Sequence, residues 1–499
     1  MAWSPPSPSP GPFSLDTRSL ACFRIAIGAV VVADALLRTR DVSLMLAPNG
    51  MFPLPALRTF FGDRWAWSLA FVVDATWWGV AVLGLQALAG GALAAGFGTR
   101  VAAVAAWVAV VSIVRRTAPA TNAGDEWLCC LLFWSMFLPL GAVWSVDAWR
   151  RGQQPAATPA RSTVRSLATA ALVVQIAAVY LGAGISKCNP AWLSGDAVAT
   201  ALSVFDHGTS WGDAIARQAG ICRGLTWFVL GLELFGPVLL VATGRPHVRL
   251  TLVGVFGLFH AASAVLMSLG LFAFVGLAAW LAMVPSAWWE RASRVFGPAA
   301  GTAAVASIAE RRPSESPWQH GAIAAALGIA AVSFVHQTTA WRTRPLPAPL
   351  RAAIQATCLG QSWGMFGQVA RQRQWVYGGG TLADGRIVDV LRNGRPLEDT
   401  LPDGGFTSLP HHRWHKLLWD LPNADRRVFA PSIAAALAHD WNRRHGPAEQ
   451  VVALDVRAVR LGAFPAPGTR HEVLLASWPI RDGTGTGSLD RWLREDDAR

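Results

Sequence analysis

Lys187, Glu233 and His260, with Tyr180 close before Lys187, carry groups able to exchange protons within apolar stretches of this sequence. Lys187 is the least ordinary of them. Lysine and arginine together number 43, yet only Lys187 and Lys416 are lysines, so the chain meets its general need for positive charge with arginine. Arginine stays protonated in proteins, whereas a lysine taken out of water can shed its proton and act as a base. That makes Lys187 a candidate base. The alternative is that an arginine-rich composition has left two lysines by chance, with Lys416 an ordinary surface residue.

Lys187 ends the apolar run 164–187 and enters the polar turn Ser186-Lys187-Cys188-Asn189. On a helix Tyr180, Gly184 and Lys187 stand at i, i+4 and i+7 and share one face. The glycine between phenol and amine would leave room for a flat ligand. Glu233 lies in the middle of the run 227–237, where Gly236-Pro237 should loosen the helix just after it. His260 is also mid-run, and a neutral imidazole can give or take a proton.

An ionisable group deep in a span costs at least roughly 2.5 to 3.5 kcal/mol, so each needs a partner, a cavity or a route to the interface. If Lys187, Glu233 and His260 converge, they make a semi-buried acid–base pocket in which lost hydration favours the neutral amine and the neutral carboxyl. A direct lysine–glutamate pair would oppose that and leave a poor base. For Glu233 and His260 the structural alternative is an interhelical hydrogen bond that only holds a bundle together.

The elements that must position these groups are membrane spans. With 53% hydrophobic and 15% charged residues and a mean hydropathy of +0.34, the chain is too apolar for a soluble protein of 499 residues. The net charge of +12 comes from arginines between apolar runs and in the C-terminal third, a pattern of membrane topology and not of nucleic-acid binding. Six cysteines form neither a CxxC nor a Cys/His ligand spacing, so neither a disulfide framework nor a metal site is expected.

Residues 1–14 are rich in proline and serine and read as a disordered leader. Residues 15–341 read as an all-α multi-span helix bundle, with about nine spans near 19–37, 66–88, 94–114, 127–144, 164–187, 224–242, 249–267, 269–285 and 320–338. The run 249–285 is too long for one crossing and is divided at Ser268-Leu269-Gly270. Arg24 and Asp34, near the ends of the first span, are expected to snorkel, the alternative being that they face the bundle. Asp125 and Glu126 open the fourth span as N-terminal helix residues.

The proline-punctuated segment 38–65 is expected to be a loop at the interface. Nine spans put the termini on opposite faces, and the arginine distribution favours a cytoplasmic N-terminus with an external C-terminal domain. Residues 342–499 have the composition of a small soluble α+β domain. Strands are expected at 375–378, 386–391, 451–461 and 472–478, with a turn at Asp384-Gly385, and helices at 412–421 and 432–444. Gly378-Gly379-Gly380 precedes no helix and is not a phosphate loop. His411, His412 and His415, with Arg413 and Lys416, read as a solvated basic face rather than a metal site.

Several stretches in order resemble the horizontally transferred transmembrane (HTTM) domain family, best known from the vitamin K-dependent gamma-carboxylases. They are 23–28 with Asp34, 180–195, 233–237, Phe259-His260 with 267–272, and 361–366; the most specific is Gly184-x-x-Lys187-x-x-x-x-Trp192-x-x-Gly195. The resemblance implies that Lys187 is the base that deprotonates vitamin K hydroquinone or a related quinol, with His260 as a second catalytic residue. Tyr180, Gly184, Trp192 and Glu233 are expected to bind the substrate.

In the carboxylases, oxygen then adds to the quinol, and the alkoxide formed removes a proton from a protein glutamate so that carbon dioxide can add. The implied activity is carboxylase/epoxidase-like, of the lyase class. The implied partners are the bilayer, a lipid-soluble quinone or quinol and a protein or peptide substrate. The implied location is a bacterial inner membrane, because the shorter C-terminal region looks like that of bacterial members. The chain departs from the carboxylases at Asn122–Asp125, where they carry a histidine and this sequence has none. The rival expectation is a non-catalytic transporter or scaffold in which the intramembrane polar residues only hold the bundle together.

Overall fold

The computed structural model describes residues 11–62, 65–151, 163–203, 208–296, 316–369, 372–397, 402, 408–462 and 470–479. Each of the nine apolar runs contains a helix: α1 (Thr17–Arg38), α2 (Thr76–Ala95), α3 (Thr99–Arg116), α4 (Ala123–Ser135), α5 (Leu167–Ser186), α6 (Ala219–Ala242), α7 (Pro246–Leu266), α8 (Phe272–Leu281) and α10 (Pro317–Thr338). A further helix, α9 (Ser286–Phe296), follows α8.

Six of the described helical segments are long and apolar enough to cross a membrane, built on α1, α2, α5, α6, α7 and α10. A seventh is reached if α8 and α9, bent by 83° against each other, count as one span. The difference from nine has physical causes. At 13 residues α4 is about 20 Å long, short of the roughly 30 Å hydrocarbon layer. Its neighbour α3 carries Arg100, Arg115 and Arg116, the last two buried. The break between α7 and α8 falls at the expected place, where Gly270 takes φ +59°.

Of the expected leader, residues 1–10 lie outside the described residues, and the rest is ordered. Ser14–Asp16 (β1) pairs antiparallel with Thr163–Arg165 (β2), and Arg249 donates to the carbonyls of Pro12 and of Ser14, the latter at 2.7 Å. Asp16 then caps α1 by accepting from the Arg18 amide.

After α11 (Ala348–Thr357), the C-terminal region forms a five-stranded antiparallel sheet in the order β5-β4-β3-β6-β7. Its strands are β3 (Gln372–Leu382), β4 (Ile387–Asp389), β5 (Arg395–Pro396), β6 (Val451–Gly462) and β7 (Arg470–Trp478). Gly385, at φ +87°, makes the turn between β3 and β4. Helices α12 (His412–Asp420) and α13 (Ala430–Arg444) bury Leu417, Leu418, Ile433 and Leu437 against Val376, Leu454 and Val456 of the sheet.

Segment 38–65 is not a bare interfacial loop. It holds a short helix, Leu54–Phe61, and its Met51, Phe52, Leu57 and Phe61 join the same apolar core as α12 and α13. Arg116 fastens the segment from beneath, donating to the carbonyls of Phe52 (2.5 Å), Leu46 (3.0 Å) and Ala47 (3.2 Å). The prolines therefore shape a packed wedge between helix bundle and sheet.

Arg24 and Asp34 of α1 both face the interior, against the snorkelling expectation. Arg24 is fully buried and donates to the carbonyls of Leu140 (3.1 Å) and Trp144 (2.5 Å), in the segment that follows α4. Asp34 accepts from Arg38 (2.9 Å), Gln86 (2.9 Å) and Arg413 (2.5 Å). Arg413 also grips Asp125 with both terminal nitrogens, at 2.6 and 2.9 Å. The α12 basic cluster is thus a docking face: Arg413 and His415 are buried, and His411 is hydrogen-bonded to Asp41.

Candidate functional site

Lys187 is the C-cap of α5 and is 2% exposed. The helix ends there because the chain turns at Asn189-Pro190, and Asn189 caps the next short helix by accepting from the Ala191 amide. The ammonium stands 2.7 Å from Glu233 Oε2 and donates to the Met365 carbonyl at 2.8 Å. It also lies 5.1 Å from the centroid of the Trp192 ring, within cation–π range.

Trp192 is fixed in turn by donating its indole N–H to the Phe366 carbonyl at 2.8 Å. Asn189 Nδ2 reaches the Gly367 carbonyl at 2.6 Å, so residues 365–367 are stapled to the Lys187 turn by three donors. Phe366 holds a left-handed backbone, φ +53°, a conformation that costs a residue with a side chain about 1 to 2 kcal/mol and is maintained here by those contacts.

Glu233 is brought in by α6, and Gly184 lets α6 come close. A methyl group on Gly184 would stand 3.0 Å from the Glu233 carbonyl carbon and from Leu234. The space read from the sequence as room for a ligand is therefore filled by the α6 backbone. Pro237 removes the amide that would bond the Glu233 carbonyl, yet α6 continues to Ala242.

His260 and Tyr180 form a second pair, with Tyr180 Oη 2.6 Å from His260 Nε2. Trp280 Nε1 donates to the same phenol at 2.7 Å, so the tyrosine hydroxyl is held between the indole and the imidazole. The other ring nitrogen, Nδ1, is buried and has no hydrogen-bond partner among the described residues. The ring packs on Gly276, where any side chain would overlap it.

A cavity of about 150 Å³ opens beside these groups. Tyr180, Lys187, Trp192 and Glu233 line it; His260 stands behind Tyr180, and Gly184 is at the α5–α6 contact. The other walls are nearly all apolar, including Leu202, Val229, Phe259 and Leu266. The helices in front of it, α6 and α7, turn Phe228, Phe235, Leu258 and Val265 outward, as lipid-facing helices do.

Sequence reasoning missed the carbonyls of Met365 and Phe366, which carry no side-chain signal. Their stretch, 361–366, is nevertheless one of those that carry the family resemblance. Among the described residues no group of three or more His, Cys, Asp or Glu side chains could hold a metal ion.

A second hollow of about 350 Å³ lies on the side of the C-terminal domain and shares Leu269, Phe272, Met365 and Phe366 with the first. Asn122, Gln368, His412, His415 and Lys416 give it a polar lining. His412 packs onto Gly270, and burial, reinforced by the Arg413 charge, pushes its pKa down from 6.5 to about 3. The unfolded chain therefore takes up this proton first. The stability His412 contributes is complete above pH 6.5 and is lost as the pH falls toward 3, about 2 kcal/mol of it by pH 5. Thermal unfolding in detergent between pH 7 and 5 should show a shallower acid-dependent loss in His412→Asn than in the wild type; equal slopes would remove His412 from the account.

These features define a class: a polytopic membrane protein with a buried acid–base couple at the wall of an apolar cavity. The HTTM domain family model matches residues 14–288, more than half of the 499-residue chain, and the chain belongs to that family. No curated protein and no solved structure matches it.

Proposed function

We propose that the cavity binds a lipid-soluble quinol, vitamin K hydroquinone or a relative, and that Lys187 and Glu233 together take its hydroxyl proton in gamma-carboxylase-like oxygenation. The observation that carries this reading is the Lys187–Glu233 couple, set in the wall of an otherwise apolar cavity behind lipid-facing helices. The residues present suit such a ligand: apolar walls accept a ring and an isoprenoid tail, and the polar groups are gathered at one end.

A lone lysine would serve best as a neutral base, but here it is paired. The couple therefore acts as a unit, with Glu233 accepting a proton and the Lys187 ammonium stabilising the oxyanion left behind. Met365 and Trp192 hold the ammonium in place. Tyr180, oriented by His260 and Trp280, offers a polar contact to the ligand, so His260 is a positioning residue. A quinol in this position would supply the reducing equivalents for reaction with oxygen, in a site from which water is kept.

The polar hollow beyond Met365 and Phe366 suits a protein or peptide substrate reaching the cavity from the aqueous side. In this reading the chain lies in a bacterial inner membrane, with its apolar helices embedded and residues 342–499 as an external domain. The arginines at 150, 151, 165, 245, 249, 291 and 294 on the opposite side support that orientation.

One observation favours a second reading. The 2.7 Å pair also clamps α5 to α6, which is all that a non-catalytic scaffold or transporter would need. The double variant Lys187→Met/Glu233→Leu separates the two, because replacing both members of a buried pair by apolar groups is close to neutral for stability. Quinol function predicts a folded protein that has lost quinone binding, measured by equilibrium partition of a labelled short-chain naphthoquinone. Unchanged partition would leave the clamp as the only role.

A further inference from the structure

Outside the cavity, three cysteines from distant parts of the chain meet where α3, α4 and α11 converge. Cys358 terminates α11 with a left-handed backbone at φ +54°, which turns its side chain back onto the bundle. Its sulfur accepts from Arg115 Nη2 at 3.2 Å. Arg115 is itself buried and anchored, because the same nitrogen donates to the Gln355 carbonyl at 2.6 Å and Nη1 donates to the Gln355 side chain.

Cys129 of α4, 1% exposed, hydrogen-bonds to the Cys358 sulfur, whereas Cys130 directs its thiol at the Cys358 carbonyl oxygen, 3.3 Å away. Cys358 as a residue is partly buried. The Cys129 hydrogen bond and the Arg115 charge outweigh burial and hold the Cys358 thiol below its ordinary range. A sulfur that faces a fixed guanidinium and has a second thiol in contact combines the features of a reactive cysteine and its resolving partner.

We propose that Cys358 and Cys129 form a redox-active pair whose oxidant is a hydroperoxide. The Cys358 thiolate attacks the O–O bond, the leaving oxygen departs as water or an alcohol after taking a proton, and Cys358 becomes a sulfenic acid. The Cys129 sulfur then displaces that hydroxyl, which leaves as water with the Cys129 proton, and a disulfide remains. Two thiols and one hydroperoxide give one disulfide, one alcohol or water and one further water, with two electrons transferred. Reduction by an external dithiol returns the pair to its starting state. This chemistry does not depend on the quinol reading.

The test uses the full-length protein in detergent, titrated with hydrogen peroxide and mapped by mass spectrometry without reductant. The pair predicts a cross-linked peptide joining Cys129 and Cys358, with the exposed Cys188 modified about tenfold more slowly. Cys129→Ser should halt the reaction at a sulfenic acid that dimedone traps on Cys358. Arg115→Gln should slow Cys358 and leave the Cys188 rate unchanged. Oxidation of Cys188 ahead of Cys358, a disulfide that uses Cys130 instead, or full-speed reaction of Cys358 in Arg115→Gln would each overturn the proposal. The Cys188 rate also reports whether a variant has unfolded, since unfolding would bring all the thiols to similar rates.

Discussion

Arg413→Ala should be among the most destabilising single substitutions in the chain, by about 3 to 5 kcal/mol, the cost of leaving a buried charge without its partner. Asp34, Asp125, Arg38 and Arg413 are each at most 6% exposed, and their charges balance two against two. Arg38 spans both carboxylates, at 2.9 Å to Asp34 and 3.0 Å to Asp125, and Arg413 spans them again from α12. Removing Arg413 leaves one negative charge uncompensated between bundle and sheet.

Arg413→Lys should recover only part of the loss, because an ammonium cannot copy a planar fork that contacts both carboxylates at once. Adding Asp34→Asn to Arg413→Ala should restore stability relative to Arg413→Ala alone, since it removes the excess charge. Detergent unfolding curves for the four proteins measure this coupling. A loss below about 1 kcal/mol for Arg413→Ala would mean that water reaches the network and that the two parts are not locked by it.

The second large effect belongs to Lys187. Lys187→Ala removes the ammonium from Glu233 and opens the wall that Met365 and Trp192 complete. Stability should fall by about 3 to 5 kcal/mol for the unpaired carboxylate. Quinol oxygenation should fall by at least roughly 10²-fold, the usual contribution of a positioned acid or base. Lys187→Arg separates the charge from its placement: it keeps a cation beside Glu233 and should regain stability, but a planar fork cannot reproduce the point charge that stabilises the oxyanion. Full activity in Lys187→Arg would show that only the charge matters.

Much of this was legible in the residues themselves. Each of the nine apolar runs contains a helix, the break near Gly270 fell where a glycine and a long run required it, and strands formed at the four stretches expected of them. What stayed hidden depends on contacts between distant segments. The short α4 could not be told from a full span by hydropathy, because a helix buried in protein is as apolar as one in lipid. Asp34 and Arg24 looked free to snorkel because their partners, Arg413 and the 140–144 carbonyls, lie far along the chain.

The same limit applied around the cavity. Rarity and helix spacing singled out Lys187, and its pairing with Glu233 appeared as the competing case. The two carbonyls that orient it could not be read, and the Gly184 gap could not be distinguished from a helix contact without knowing which helix approaches. The cysteines were unremarkable by spacing, since 229 residues separate Cys129 from Cys358 in the sequence.

The most direct test of the central claim is epoxide formation from reduced vitamin K. Purified wild-type protein and Lys187→Ala are incubated with the quinol, oxygen and labelled bicarbonate, and epoxide and fixed label are measured separately. The account predicts epoxide from the wild type alone, and label in a glutamyl peptide if carboxylation follows. Equal epoxide from both proteins, or neither turnover nor quinone binding by the wild type, would contradict it.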